Sequence, residues 1–189
     1  QLSNAFKDAI TTCKTEFQTD IKVVSSWFKP ERSKVRFFSV RQAVDTSLSV
    51  INRINQNALS FQNITIDDHS NYKGDYFNAV HDIFHDMMNN ILRYETKRPE
   101  LKGQGEIRIT REGEILNIEV SNPVDQADIK EIEGILIEQQ DFPALIAGGK
   151  TRREKNSGCV KIYSTVMYTL GGESQYENQL ENNCFVAKI

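Results

Sequence analysis

The residues of this chain best suited to chemistry lie in His81-Asp-Ile-Phe-His-Asp-Met-Met-Asn-Asn-Ile-Leu-Arg-Tyr94. Asp86, Asn89, Asn90 and Arg93 recur there at three- and four-residue steps, so a helix gathers them into one polar stripe opposite its Met, Phe and Ile face. A carboxylate in such a stripe can orient or deprotonate a water or hydroxyl nucleophile. An amide oxygen one turn on suits Mg²⁺, a hard cation that takes oxygen ligands. A guanidinium beyond it can hold phosphate oxygens. The same spacing also describes a solvated helix face with no chemistry. His81 and His85 could offer two nitrogens to zinc, but no cysteine lies near them to complete a site, and a polar helix edge is the simpler reading.

The chain that must position these groups has 189 residues, enough for one full domain and an accessory element. It is 39% hydrophobic and 26% charged, which excludes a disordered or fibrous chain. A net charge of −3 gives no overall attraction to nucleic acid or to an acidic membrane. No apolar run reaches the roughly 18 residues of a membrane span, and no signal-peptide pattern is present. Cys13, Cys159 and Cys184 are odd in number and far apart, which argues against a disulfide framework and fits a reducing, cytoplasmic setting. Because the chain opens on Gln1, we read it as the C-terminal part of something longer.

Periodicity supplies the elements. Phe6, Ile10, Cys13, Phe17, Ile21, Val24 and Phe28 alternate three- and four-residue steps, predicting a long helix that Lys29-Pro30 ends. Ser39-Val-Arg-Gln42 is a capping-box pattern that predicts a second helix, with a stripe from Val40 through Val44, Leu48, Ile51, Ile54 and Ala58 to Phe61. Residues 1–62 therefore read as a helical hairpin, a packing arm or the seat of a homodimer. Asn63-Ile-Thr-Ile-Asp67 reads as a short strand, His69 to Gly74 as a polar turn, and Asp75 to Tyr94 as a strong helix. Two strands, Gly105 to Arg111 and Ile115 to Ser121, flank the hairpin signal Glu112-Gly113-Glu114. A helix bearing Ile129, Ile132 and Leu136 follows, then a long polar loop over 141–158, a helix from Cys159 to Leu170 stopped by Gly171-Gly172, and strands near Gln175–Leu180 and Cys184–Ile189. This order predicts an α/β two-layer sandwich over 63–189, with a mixed, mostly antiparallel sheet covered by helices on one face.

The Asp86–Tyr94 segment resembles the N-box of the Bergerat-fold (GHKL) ATPases, above all sensor histidine kinases. There an acidic residue, an Asn, a basic residue and an aromatic recur in this register along one helix. The resemblance makes Asp86 the candidate base, Asn90 the Mg²⁺ ligand, and Arg93 and Tyr94 nucleotide contacts. Downstream, Ile107 to Val120 resembles the hairpin that leads into the family's adenine motif, Asp-x-Gly-x-Gly. Here Ser121-Asn122-Pro123-Val124-Asp125 stands in its place, so the glycines are missing and Asn122 offers an amide oxygen in place of the carboxylate. Residues 148–162 resemble the ATP lid, with Lys150, Thr151, Arg152, Arg153 and Lys155 ahead of Gly158, the one glycine kept from a Gly-x-Gly pair whose second member is Val160. The basic run reads equally as a phosphate-facing lid or as a solvated loop.

The resemblance thus implies ATP and Mg²⁺ as ligands, and an ATP-binding domain of a larger cytosolic signalling or stress-response protein, with ATP hydrolysis or phosphoryl transfer as the activities such a domain could carry. Residues 1–68 contain no histidine, so a kinase-type acceptor on the first helices is absent from this stretch. The alternative, favoured by the missing glycines, is a catalytically silent module of the same fold used for dimerisation or partner docking.

Overall fold

A computed structural model of the chain describes residues 36–56, 58–149, 158–171 and 174–189. Contacts divide the chain into Gln1–Lys34 and Val35–Ile189, and every described residue belongs to the second unit. The helix expected over the first 28 residues, with Cys13 and Trp27, lies outside the described residues, as does the basic run at Lys150–Lys155.

The described elements are β1 (Phe37–Phe38), α1 (Val40–Ile54), β2 (Asn63–Asp67), β3 (Tyr72–Lys73), α2 (Phe77–Lys97), β4 (Glu106–Glu112), β5 (Ile115–Pro123), α3 (Ile129–Glu138), α4 (Phe142–Ala147), α5 (Gly158–Thr165), β6 (Glu177–Glu181) and β7 (Cys184–Lys188). Five strands form one sheet in the order β2-β4-β5-β7-β6. Only β2 and β4 run parallel; the other three pairings are antiparallel. Glu112-Gly113-Glu114 makes the expected tight turn, with Gly113 at φ 63°. Helices pack on one face of the sheet, so the architecture is the two-layer sandwich that the element order implies. β1 and β3 form a separate two-stranded ribbon.

The core runs along α2. Its Ile83, Phe84, Met87, Met88, Ile91 and Leu92 meet Val40, Ala43, Val44 and Ile51 of α1 and the sheet residues Ile107, Ile109, Ile118 and Val120. Burying each large side chain of this set contributes about 1.5–3 kcal/mol, so the seam between α1 and α2 belongs to the stability of the whole unit. Ser47, fully buried there, donates its hydroxyl to the His81 carbonyl at 3.1 Å and is satisfied.

α1 starts as the capping box requires. Gln42 N–H donates to Ser39 Oγ at 3.3 Å, and Ser39 N–H to Gln42 Oε1 at 2.8 Å. It stops at Ile54 instead of running on to Phe61. Gln56 sits at φ 55°, and the Asn52 amide takes both backbone groups of Leu59 at 2.9 Å, turning Leu59 into the core. No helical period survives that turn, so Ala58 and Phe61 reach the core from extended chain. α2 runs three residues beyond Tyr94 and ends where Arg98 precedes Pro99. The loop expected over 141–158 contains the short helix α4, whose first turn Asp141 caps by accepting from Ala144 N–H at 3.0 Å. α5 passes at Val166–Leu170 into a wider π turn that Gly171 closes at φ 64°. Among the described residues no helix is long and apolar enough to cross a membrane.

Candidate functional site

α2 carries the polar stripe that its period predicts, and the surrounding elements turn part of it into one wall of a pocket. Asn90, then the adjacent Arg93 and Tyr94, then Lys97, each one turn further along, face a cavity of about 540 Å³. The sheet side supplies Asn122 at the end of β5, Val124 just beyond it, and Phe185 of β7. α3 lends Ile132 and Ile135, and none of its residues is fully buried, so part of its apolar face is left open to the cavity. Gly158 and Cys159, at the start of α5, close one end. The lining is apolar toward α3 and β7 and cationic toward Arg93 and Lys97. That division suits a flat, heteroatom-bearing ring at one end and an anion at the other.

The fit between α2 and α5 is tightest at Asn90. A Cβ placed on Gly158 would lie 2.4 Å from Asn90 Oδ1 and 2.6 Å from its Nδ2. Only a residue without a side chain lets α5 begin against that amide.

Tyr94 ties the pocket to the chain beyond β5. Its hydroxyl donates to Asp128 Oδ2 at 2.9 Å and accepts from the Asp125 N–H at 2.9 Å. Arg98, the residue just after α2, grips the same Asp128 through two N–H donors at 2.7 and 2.6 Å. This guanidinium holds the Asp128 carboxyl down to about 2. The pair spans thirty residues of sequence, and no local pattern announces it. Burial pushes the Tyr94 hydroxyl above its ordinary range.

Asp86 lies elsewhere. It lines a neighbouring depression of about 290 Å³ with Asp82, His85, Lys161, Ser164 and Thr165, not the cavity of Asn90 and Arg93. Its carboxyl is pushed up chiefly by burial, against the pull of Lys161 and then His85. The His85 ring nitrogen is 3.9 Å from the Asp86 carboxylate, and the His81 and His85 rings stack with centroids 6.1 Å apart. No group of three or more metal-ligating side chains occurs among the described residues, so nothing completes a zinc site around this pair.

Of the residues singled out by sequence, Asn90, Arg93, Tyr94, Asn122 and Gly158 come together around one cavity, Asp86 lines the next depression, and Lys150, Thr151 and Arg152 lie outside the described residues. Sequence reading missed Cys159, Tyr176 and Phe185. Cys159 and Phe185 lie in short apolar stretches of ordinary core character and Tyr176 in a polar one, and all three acquire a role only when β7 pairs with β5 and α5 docks on α2.

Neither a protein-family model nor a curated protein matches the sequence. Solved structures do. The histidine kinase AdeS of Acinetobacter baumannii superposes with a TM-score of 0.50 at 9% identity, covering 92% of this chain and 80% of that one. The chain has the Bergerat fold. The catalytic domain of histidine kinase ThkA is also similar, with a TM-score of 0.49, 14% identity, and 81% and 94% of the two chains covered. In the Bergerat fold of this chain, the helix that carries the N-box-like stripe is α2, and the hairpin β4–β5 leads to Asn122.

Proposed function

We propose that this chain binds Mg²⁺-ATP, as the nucleotide-binding domain of a larger cytosolic signalling or stress-response protein. The observation that carries the proposal is the convergence of Asn90, Arg93, Tyr94, Asn122 and Gly158 on one cavity of about 540 Å³. In this reading the base lies among Val124, Ile132, Ile135 and Phe185 with its polar edge toward Asn122. The phosphates lie toward Arg93, near Asn90 and the start of α5. The Asn90 amide is a fitting Mg²⁺ ligand: it is a hard oxygen donor, and Gly158 leaves it a cradle that a Cβ would fill. When bound, Mg²⁺ would supply neutralisation of phosphate charge.

The chain's own residues supply position and charge. Tyr94 and Arg98 clamp Asp125 and Asp128, which fixes the segment between Asn122 and α3 and so the two walls of the base end. Arg93 attracts the phosphates. Asp86, with its carboxyl raised by burial, would accept a proton from a water or hydroxyl nucleophile.

The second reading is a nucleotide-binding module that does not turn its ligand over. It is favoured by Asp86 lining the neighbouring depression and by the Ser121–Asp125 stretch that lacks glycine. Calorimetric titration of ATP, with and without Mg²⁺, into the protein and into Asn90→Ala tests the binding step. Saturable Mg²⁺-dependent binding that the substitution weakens is the expected result; no heat at millimolar ATP refutes it. Asp86→Asn separates the two readings, abolishing turnover and sparing binding if the domain is an enzyme. A homodimer through the N-terminal residues is part of the proposal. Because α1 is built into the core, the deletion that tests it by light scattering stops at Lys34.

A further inference from the structure

The base end of the cavity has a floor that no part of the reading above uses. Beneath it lies a small void of about 20 Å³, bordered by Asn90, Asn122, Cys159 and Phe185, which also line the main cavity, and by Tyr176 from below. Tyr176 is only 6% exposed, and its hydroxyl lies beside the Cys159 thiol and Asn178 without a hydrogen bond of regular geometry to either. A buried hydroxyl left without a good partner is costly, so such groups normally meet a ligand or a water. The void has room for a single water, enough to relay the hydroxyl to whatever sits on the floor.

The second polar group at this end is Asn122, which is 8% exposed. Its Nδ2 donates to the Pro123 carbonyl at 3.2 Å. An amide has two N–H donors and a carbonyl acceptor, so Asn122 keeps one donor and one acceptor for a ligand. An ionised carboxylate at the same place could only accept. It would welcome the amino group of adenine and repel the carbonyl oxygen that guanine and hypoxanthine carry at the same ring position. A tyrosine hydroxyl rotates to donate or to accept. Both polar groups at the base end can therefore meet either sign of partner.

We propose that the base end does not discriminate at position 6 of a purine, so that the site takes 6-oxopurine nucleotides as well as adenine nucleotides. This rests on the nucleotide-binding reading and deepens it by naming the ligand class: purine nucleoside triphosphates, amino or oxo. Asn122 sets this breadth, and Tyr176 supports either kind of base without choosing between them.

The experiment is calorimetric titration of the full chain with Mg²⁺-ATP, Mg²⁺-GTP and Mg²⁺-ITP, repeated on Asn122→Asp and Tyr176→Phe, with a melting curve on each variant to establish folding. ITP is included because it has the oxo group without the extra 2-amino group of GTP. In the unaltered protein the dissociation constants for ATP and ITP fall within tenfold of each other. Asn122→Asp shifts the ratio more than tenfold in favour of ATP, because the remaining donor is lost. Tyr176→Phe weakens all three nucleotides by a similar factor and leaves the ratio within tenfold. ATP binding with ITP and GTP more than tenfold weaker in the unaltered protein overturns this inference and leaves the ATP reading standing. An unchanged ratio in folded Asn122→Asp overturns it as well. If none of the three nucleotides binds, the underlying reading falls, and this inference falls with it. Should Asn122→Asp fail to fold, the ATP-to-ITP ratio of the unaltered protein and of Tyr176→Phe decides.

Discussion

Replacing Gly158 by alanine separates the nucleotide site from the stability of the fold. The new Cβ would lie 2.4 Å from Asn90 Oδ1, 2.6 Å from Nδ2 and 2.9 Å from Cγ, where ordinary contact begins at 3.4 Å. The amide must therefore retreat by about 1 Å, twice the roughly 0.5 Å tolerance of a working site. The backbone does not oppose the change, since Gly158 lies outside the left-handed region. Moving a half-exposed amide off its rotamer costs about 0.5–1.5 kcal/mol. Alanine in place of glycine at a compatible φ returns about 0.4–1 kcal/mol by restricting the unfolded chain. The two offset each other, so the melting temperature stays within about 3 °C of the unaltered protein. Binding behaves differently. Loss of one contact to a charged group is worth about 1.5–3 kcal/mol, or roughly a tenfold to hundredfold weakening. That loss falls on the Mg²⁺-dependent part of the affinity alone. The assay is a calorimetric titration of ATP with and without Mg²⁺, beside a thermal melt. A double-mutant cycle completes it: in an Asn90→Ala background, which has no amide to displace, Gly158→Ala has no further effect. Unchanged Mg²⁺-dependent affinity in Gly158→Ala, or an equal loss in both backgrounds, refutes the reasoning.

Three further outcomes follow from the same geometry. Asp128 has its carboxyl lowered from 3.8 to about 2 by Arg98, so its clamp contributes stability that is fully present above the unfolded value and is lost as pH falls through the folded one. The stability gap between the protein and Asp128→Asn, read by urea unfolding, is thus constant from pH 7 down to about 4 and shrinks between about pH 4 and 2; a gap that widens there contradicts the assignment. Glu95 is buried, accepts from the Gly103 N–H at 2.9 Å through one carboxylate oxygen, and leaves the other unpaired, so burial raises its carboxyl. A raised carboxyl destabilises the fold once pH exceeds its unfolded range, and Glu95→Gln therefore raises the melting temperature at pH 8 by about 2–4 °C, with the advantage disappearing toward pH 4. Ser39→Ala removes one half of the capping box and lowers unfolding free energy by about 1 kcal/mol in denaturant titration, an effect that Ser39→Asp largely restores.

The amino-acid sequence by itself determined whatever depends on neighbours within a few residues. The period of Phe84, Met87, Met88, Ile91 and Leu92 makes α2 amphipathic, and the same period places Asn90 and Arg93 together on its other side. Ser39 and Gln42 announce the start of α1 because a cap is a contact three residues long. Glu112-Gly113-Glu114 announces its hairpin because a tight turn needs a residue free to take positive φ.

Tertiary structure decided the rest. The end of α1 depends on Asn52 capturing the backbone of Leu59 across a turn, and the Val40–Ile51 stripe, which reads as half of an arm, is spent on the core beside α2. The walls of the cavity rest on Tyr94 and Arg98 meeting Asp128, on Gly158 fitting against Asn90, and on Tyr176 rising beneath the floor. Asp86 shares its helix with Asn90 yet lines a different depression, because Lys161, Ser164 and Thr165 of α5 cover that part of the stripe. Apart from the seven-residue reach of Asn52 to Leu59, each of these contacts joins elements dozens of residues apart or turns on the space left between packed side chains. Hydrophobic period and turn chemistry are local, and they specify elements; only the packing of those elements on one another specifies a cavity.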